Sequence, residues 1–208
     1  MKSADPGKLL RHLARQLYRR GWMDGTAGNL SLRRGENLFI TASGRPKGTL
    51  TSEEILSLPF RHASGEAFSS GLRPSAELSI HLAIYRLFPE TEAVLHVHTV
   101  EAALASSADR NELSLPPLEV LKGLGVADPG QCPLLPVFDN DSKVPEIARK
   151  IEERLRDPIY SLPGLLIRHH GTTAWGKSLD EAIRHLELLE FCFRYIVERN
   201  RGKESDRL

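Results

Sequence analysis

The stretch AVLHVHT, residues 93–99, sets His96 and His98 among Val94, Leu95 and Val97. In an extended strand successive side chains face opposite ways. Ala93, Leu95 and Val97 then share one face, and Val94, His96 and His98 share the other. The two imidazoles leave the strand roughly 6.5–7 Å apart, close enough for one divalent cation to sit between them. Two partly buried, hydrogen-bonded histidines would give the same heptapeptide. A second pair, His169 and His170 in IRHHG, ends an apolar run at a glycine. In a continuing strand these two face opposite ways, so one of them can join His96 and His98. Three imidazoles with an open fourth position make a centre where water or substrate can still bind and be polarised. A pair of surface turn histidines is the alternative reading.

Two acids are candidates for proton transfer. Glu77 follows Ser75-Ala76 in the first turn of an expected helix, and Glu119 lies in PPLEVLKG with Lys122 one turn later. A Glu119–Lys122 helical pair would explain that spacing without catalysis. GTAGN and TASGRPKG offer backbone N–H groups together with Thr26, Asn29, Thr41 and Ser43. Such turns can form concave nests for phosphate, although neither has the spacing of a P-loop or a dinucleotide fingerprint. The RPSAE segment opens a helix whose N-terminus also favours an anion. Asn29, Ser43 and Ser75 are therefore expected to line one anion cleft near the histidines, against the plainer reading of ordinary turns.

The elements that must position these residues follow from periodicity. Asp5-Pro6 reads as an N-cap with proline at the first helical position, followed by the stripe Leu9, Leu10, Leu13, Ala14 and Leu17. GTAGNLSLR and LFITASG read as a strand hairpin. TSEEIL reads as a short helix with its own cap, and patterning is weak over residues 57–70. RPSAELSIHLAIYRLFP reads as a helix, EAVLHVHT as a central strand, and VEAALASSA and PPLEVLKGLG as short helices. CPLLPVFD reads as a strand, VPEIARKIEERL as a helix, and PGLLIRHHG and TTAWG as two strands around a tight turn. The last helix opens with the capping-box pattern Ser178-Leu179-Asp180-Glu181. Hairpins mixed with helical connections point to an α/β layered domain on a mixed, mostly antiparallel sheet.

The 208 residues suffice for one well-buried domain, expected over 1–208, with the charged end RNRGKESDRL frayed from about 200. A net charge of +1 creates no global field to recruit nucleic acid or an anionic membrane. No apolar run approaches a membrane span, and no apolar signal region precedes the first helix. Two cysteines, Cys132 and Cys192, exclude a disulfide framework and fit a reducing cytoplasm.

Taken in order, GWMDGTAGNLSLR, FITASGRPKG, RPSAELSIHLAIYR, AVLHVHT and RHHGTTAWG resemble the class II aldolase/adducin head family over about Leu9 to Asn200. The resemblance implies an α/β/α sandwich with a mostly antiparallel sheet. It implies one Zn²⁺ per subunit held by His96, His98 and His170, and phosphate binding by residues such as Gly28, Asn29, Ser43 and Gly44. It also implies a homo-oligomer, commonly a tetramer with sites at subunit interfaces. LEVLKGLG and LPVFDND resemble the dehydratase branch, which acts on 5-methylthioribulose 1-phosphate in methionine salvage and gives 2,3-diketo-5-methylthiopentyl 1-phosphate. Family aldolases use an acid matching Glu77 and commonly carry a tyrosine on the loop after the HxH strand. Residues 100–125 hold no tyrosine, and the dehydratases use a glutamate matching Glu119, so Glu119 is expected to carry the protons with Glu77 in reserve. A sugar-phosphate aldolase or epimerase (fuculose- or ribulose-phosphate) on the same scaffold is the nearest rival. A non-catalytic adducin-like binding module is the rival from another class.

Overall fold

The computed structural model describes residues 5–63 and 71–205. Its helices are α1 (Pro6–Arg19), α2 (Leu78–Leu87), α3 (Val100–Ala105), α4 (Val144–Arg154) and α5 (Leu179–Ser205). Its strands are β1 (Asn29–Arg34), β2 (Asn37–Thr41), β3 (Ile55–Pro59), β4 (Ala93–Val97), β5 (Glu112–Ser114), β6 (Leu134–Phe138), β7 (Gly164–Ile167) and β8 (Gly171–Gly176).

One sheet of eight strands runs β3-β2-β1-β4-β8-β7-β6-β5. Every neighbouring pair is antiparallel except β6 and β7, which α4 connects as a parallel crossover. The alternation in AVLHVHT settles the layering. Ala93, Leu95 and Val97 enter one core with α1 and α5, where Leu10, Leu13, Leu17, Leu186, Leu189 and Phe193 are buried. Val94 enters the other core with α2 and α4, represented by Ile80, Ile84, Ile147 and Ile151. Helices on both faces make the sheet the middle layer of an α/β/α sandwich, and each fully buried Leu or Ile contributes about 1.5–3 kcal/mol.

Three local expectations need correction. TSEEIL carries its cap, with Glu54 accepting from the Thr51 amide at 2.9 Å, but forms only a single 3₁₀ turn over Ser52–Glu54. Ile55 and Leu56 then pair with β2, because β-branched and leucine side chains on a sheet edge beside a hydrophobic strand gain more by pairing than by one more helical turn. The weakly patterned stretch therefore begins as β3, and residues 64–70 lie outside the described residues. β5 is likewise a strand that three residues of sequence could not announce. At the other end α5 runs to Ser205, and residues 206–208 lie outside the described residues.

Candidate metal centre and active site

β1, β4 and β8 lie side by side, so Asn29, His96 and Thr173 form one row across the sheet. The row faces α2. His98 follows the end of β4, and its backbone N–H is held by the Trp22 carbonyl at 2.9 Å. His170 ends the turn between β7 and β8. That turn uses the left-handed region at His169, φ +53°, and closes through the His170 amide to the Ile167 carbonyl at 3.0 Å. Gly171 explains how His170 comes so near: a Cβ there would collide with the Val97 carbonyl, so only glycine lets β8 run this close to β4. Gly28 does the same on the other side, at φ +71°, where a Cβ would stand 2.8 Å from the His96 carbonyl oxygen.

The ligand atoms of His96, His98, His170 and Glu77 all fall within 4.8 Å of one another. The three rings are nearly perpendicular, with centroids 4.4–5.1 Å apart. His96 and His98 face each other through Nε2 at 2.9 Å. Glu77 Oε2 lies 3.4 Å from His96 Nε2, and Oε1 lies 3.1 Å from His170 Nε2. His169 is exposed and outside the cluster.

The protonation pattern suits a cation. Burial, then the neighbouring imidazoles, pushes His98 down to about 3, and burial likewise lowers His96. These rings are neutral near pH 7, the ligating form. Asn140 Oδ1 stands 3.2 Å from His170 Nδ1 and Thr173 Oγ1 stands 2.9 Å from His96 Nδ1, so each Nδ1 is engaged away from the centre and each Nε2 faces it. With Nε2 of His96 and His98 2.9 Å apart and His170 in the same cluster, a divalent cation there would draw on all three rings. Burial would push the Glu77 carboxyl up. His96, His170 and Asn29 outweigh it and hold the group well below the usual carboxylate range, so the cluster also carries a negative charge.

Glu77 stands just before α2, not within its first turn as the sequence pattern implies. Its amide is held by Ser75 Oγ at 3.2 Å. A turn closed by the Leu78 amide on the Ser75 carbonyl at 3.1 Å precedes the helix, and the Glu77 carboxylate lies beside the imidazoles. Asn29 donates its amide to Glu77 Oε2 and does not line the cleft with Ser43 and Ser75. Those two serines do share one cleft of about 460 Å³, with Arg73, Ser79 and an apolar wall of Leu78 and Leu82. Gly44 sits at φ +67° beside Ser43. Lys47 is 1% exposed and donates to the carbonyls of Thr26 at 2.9 Å and Arg45 at 2.8 Å, which ties the two glycine turns together. Burial pushes this ammonium down to about 8 against the pull of Glu54 and Glu77.

Glu119 is elsewhere. It opens the 3₁₀ helix Glu119–Leu124, its side chain is 79% exposed, and it meets Lys122 at 2.6 Å. The structure does not bring it into the cluster, and a semi-buried setting for it is absent from the single chain.

The Class II Aldolase and Adducin N-terminal domain pattern matches residues 8–197. The chain belongs to that family. Within the family it is similar to the methylthioribulose-1-phosphate dehydratase of Microcystis aeruginosa, 46% identical over 196 residues covering 93% of this chain and 96% of the relative. The methylthioribulose-1-phosphate dehydratase of Yersinia enterocolitica is 40% identical, covering 86% of this chain and 85% of the relative. Among solved structures, the L-fuculose-1-phosphate aldolase from Thermus thermophilus superimposes with a TM-score of 0.76 at 26% identity, covering 97% of each chain. The class II aldolase fold is thus shared with enzymes of more than one named activity.

Sequence reasoning missed three features of this class II aldolase site. Lys47 sits in GRPKG, where a cation inside a glycine turn was a usable signal. His81 interrupts the apolar stripe of α2; it is fully buried, with Nε2 at 2.6 Å from Asn29 Oδ1 and Nδ1 at 2.7 Å from Ser31 Oγ. Ser31 in turn meets the Tyr85 hydroxyl at 2.9 Å. Glu190, in the middle of α5, had no local signal.

Proposed function

We propose that the chain dehydrates 5-methylthioribulose 1-phosphate to 2,3-diketo-5-methylthiopentyl 1-phosphate, a step of methionine salvage, as a zinc-dependent cytoplasmic homotetramer. The observation that carries the reading is the convergence of His96, His98, His170 and Glu77 at one point in a chain so similar to named dehydratases. His96, His98 and His170 would hold the metal, with Glu77 beside them. A divalent cation held there would supply Lewis acidity toward the ketose carbonyl at C2. Ser43 and Ser75, with Gly44 next to Ser43, would bind the phosphate and fix which carbon meets the base. A carboxylate takes the C3 proton, and the same group then gives it to the C4 hydroxyl, which leaves as water. Tautomerisation of the resulting enol completes the product.

Glu119 is our choice for that carboxylate, supported by its match to the E-x-x-K-G stretch of the dehydratases and by the missing loop tyrosine. A second reading gives the proton work to Glu77, and its place 3.1–3.4 Å from two imidazoles favours it. Product identification tests the function: methylthioribulose 1-phosphate should give the diketone, while fuculose and ribulose phosphates should not be turned over. Cleavage of those phosphates with no diketone formed would replace the dehydratase reading by an aldolase one.

A further inference from the structure

Glu190 is a carboxylate with no part in the cluster, yet it touches both segments that carry it. It lies in α5, on the face of the sheet opposite α2, and is 6% exposed. Its Oε2 accepts from Thr99 Oγ1 at 2.7 Å and its Oε1 from Thr172 Oγ1 at 2.7 Å. Thr99 is the residue after His98. Thr172 is the second residue after His170 and pairs across the sheet with Val97, the residue between the two HxH imidazoles.

We propose that Glu190 is a positioning residue that fixes the spacing between His98 and His170. The two segments come from distant parts of the chain and meet where strand pairing ends. Beyond Val97 there is no further β4–β8 pair, so backbone hydrogen bonds no longer hold them in register. One carboxylate with an oxygen for each threonine replaces the missing pair from behind the sheet. Thr99 cannot swing away, because its Oγ1 also accepts from the Ala102 amide at 3.0 Å and caps α3. Thr172 is fixed within β8. With both hydroxyls committed to one rigid acceptor, the backbones of His98 and His170 hold a set separation before any ligand arrives. Preorganisation of this kind lowers the cost of assembling a metal centre.

The inference rests on the metal reading above, and the test separates the two. Metal-free protein is titrated with Zn²⁺ against a chelator, and the visible spectrum of the Co²⁺ form reports coordination geometry. Glu190→Leu keeps bulk but removes both acceptors, Thr172→Val removes only the His170 side, and Glu190→Gln keeps a polar group for each threonine. Zn²⁺ affinity should fall roughly 10-fold or more in the first two, with an altered Co²⁺ spectrum, and should be restored toward the parent value by Gln. Far-UV circular dichroism of the metal-free forms checks folding; if Glu190→Leu does not fold, Thr172→Val decides. Parent protein that binds metal, with folded variants binding as tightly and giving the parent's Co²⁺ spectrum, overturns the brace and leaves the metal reading standing. Parent protein that binds no metal overturns both.

Discussion

His81 and Asn29 are joined across the α2–sheet interface by a 2.6 Å hydrogen bond whose direction can be worked out. Asn29 donates to Glu77, so its carbonyl oxygen must accept from His81 Nε2–H. Burial, and then His96, push His81 down to about 3, so the ring is neutral and its Nδ1 accepts from Ser31. Every donor in the chain Ser31, His81, Asn29 thus points toward the Glu77 carboxylate.

Replacing His81 by Leu would strand Asn29 Oδ1 in the core and leave Ser31 Oγ with the Tyr85 hydroxyl alone. Urea unfolding of the metal-free variant should show a loss of about 1–3 kcal/mol. Turnover should fall as well, since Asn29 would no longer be held against Glu77. Unchanged stability and turnover would refute the network's role.

His98→Ala should lose metal and activity while keeping the fold, since His98 lies beyond the last residue of β4. Metal content by mass spectrometry and far-UV circular dichroism read the two effects separately. Full metal occupancy in this variant would remove His98 from the ligand set.

Glu119→Gln and Glu77→Gln divide the proton chemistry. If Glu119 is the acid and base, its variant should keep metal and lose about 10²–10⁴-fold in turnover, with the Glu77 variant milder. Near-normal turnover in Glu119→Gln, with Glu77→Gln inactive and still metal-loaded, would reverse the roles.

Lys47→Met should raise KM for the phosphorylated substrate more than it lowers kcat. The change frees the Thr26 and Arg45 carbonyls and lets the two glycine turns separate. Steady-state kinetics checks this, and an unchanged KM would mean that the turns do not hold the phosphate.

Glu190 also predicts a pH dependence. Burial pushes its carboxyl up from 4.5 to about 7, opposed by the Thr99 and Thr172 hydroxyls and aided by Glu101. The unfolded chain therefore gives up this proton first. The stabilisation from protonated Glu190 is complete below about pH 4.5 and is lost as the pH rises through about 7. Glu190→Gln does not titrate, so its stability relative to the parent should climb across that interval by on the order of 3 kcal/mol and then level. Urea unfolding of metal-free protein at each pH measures it. A flat difference would refute the buried titration.

Much of the architecture was legible because periodicity is a local signal. The alternation in AVLHVHT assigns residues to the two cores as the structure does, and the caps at Asp5 and Ser178 mark real helix starts. β3 and β5 escaped because five and three residues carry too little pattern, and their state is decided by the neighbouring strand. The histidine cluster was foreseeable as residue types on one face. The partners of those residues were not: Asn29 reads as a turn residue in sequence, and only the β1–β4 register sets it opposite His96. Glu190 is ninety-one positions from Thr99, and nothing local links them.

The pairing of β4 with β8 has a consequence for how the protein unfolds. A cation shared by His96, His98 and His170 bridges the two ends of the excursion through α3, β5, β6, α4 and β7. In an unfolded chain, bringing those ends together carries the entropy cost of closing a long loop. In the native sheet, strand pairing has already done so. The ion would therefore discriminate between the two states as a removable cross-link. Each tenfold excess of free metal over its dissociation constant adds about 1.4 kcal/mol of resistance to unfolding, a reserve that a chelator can withdraw without changing one residue.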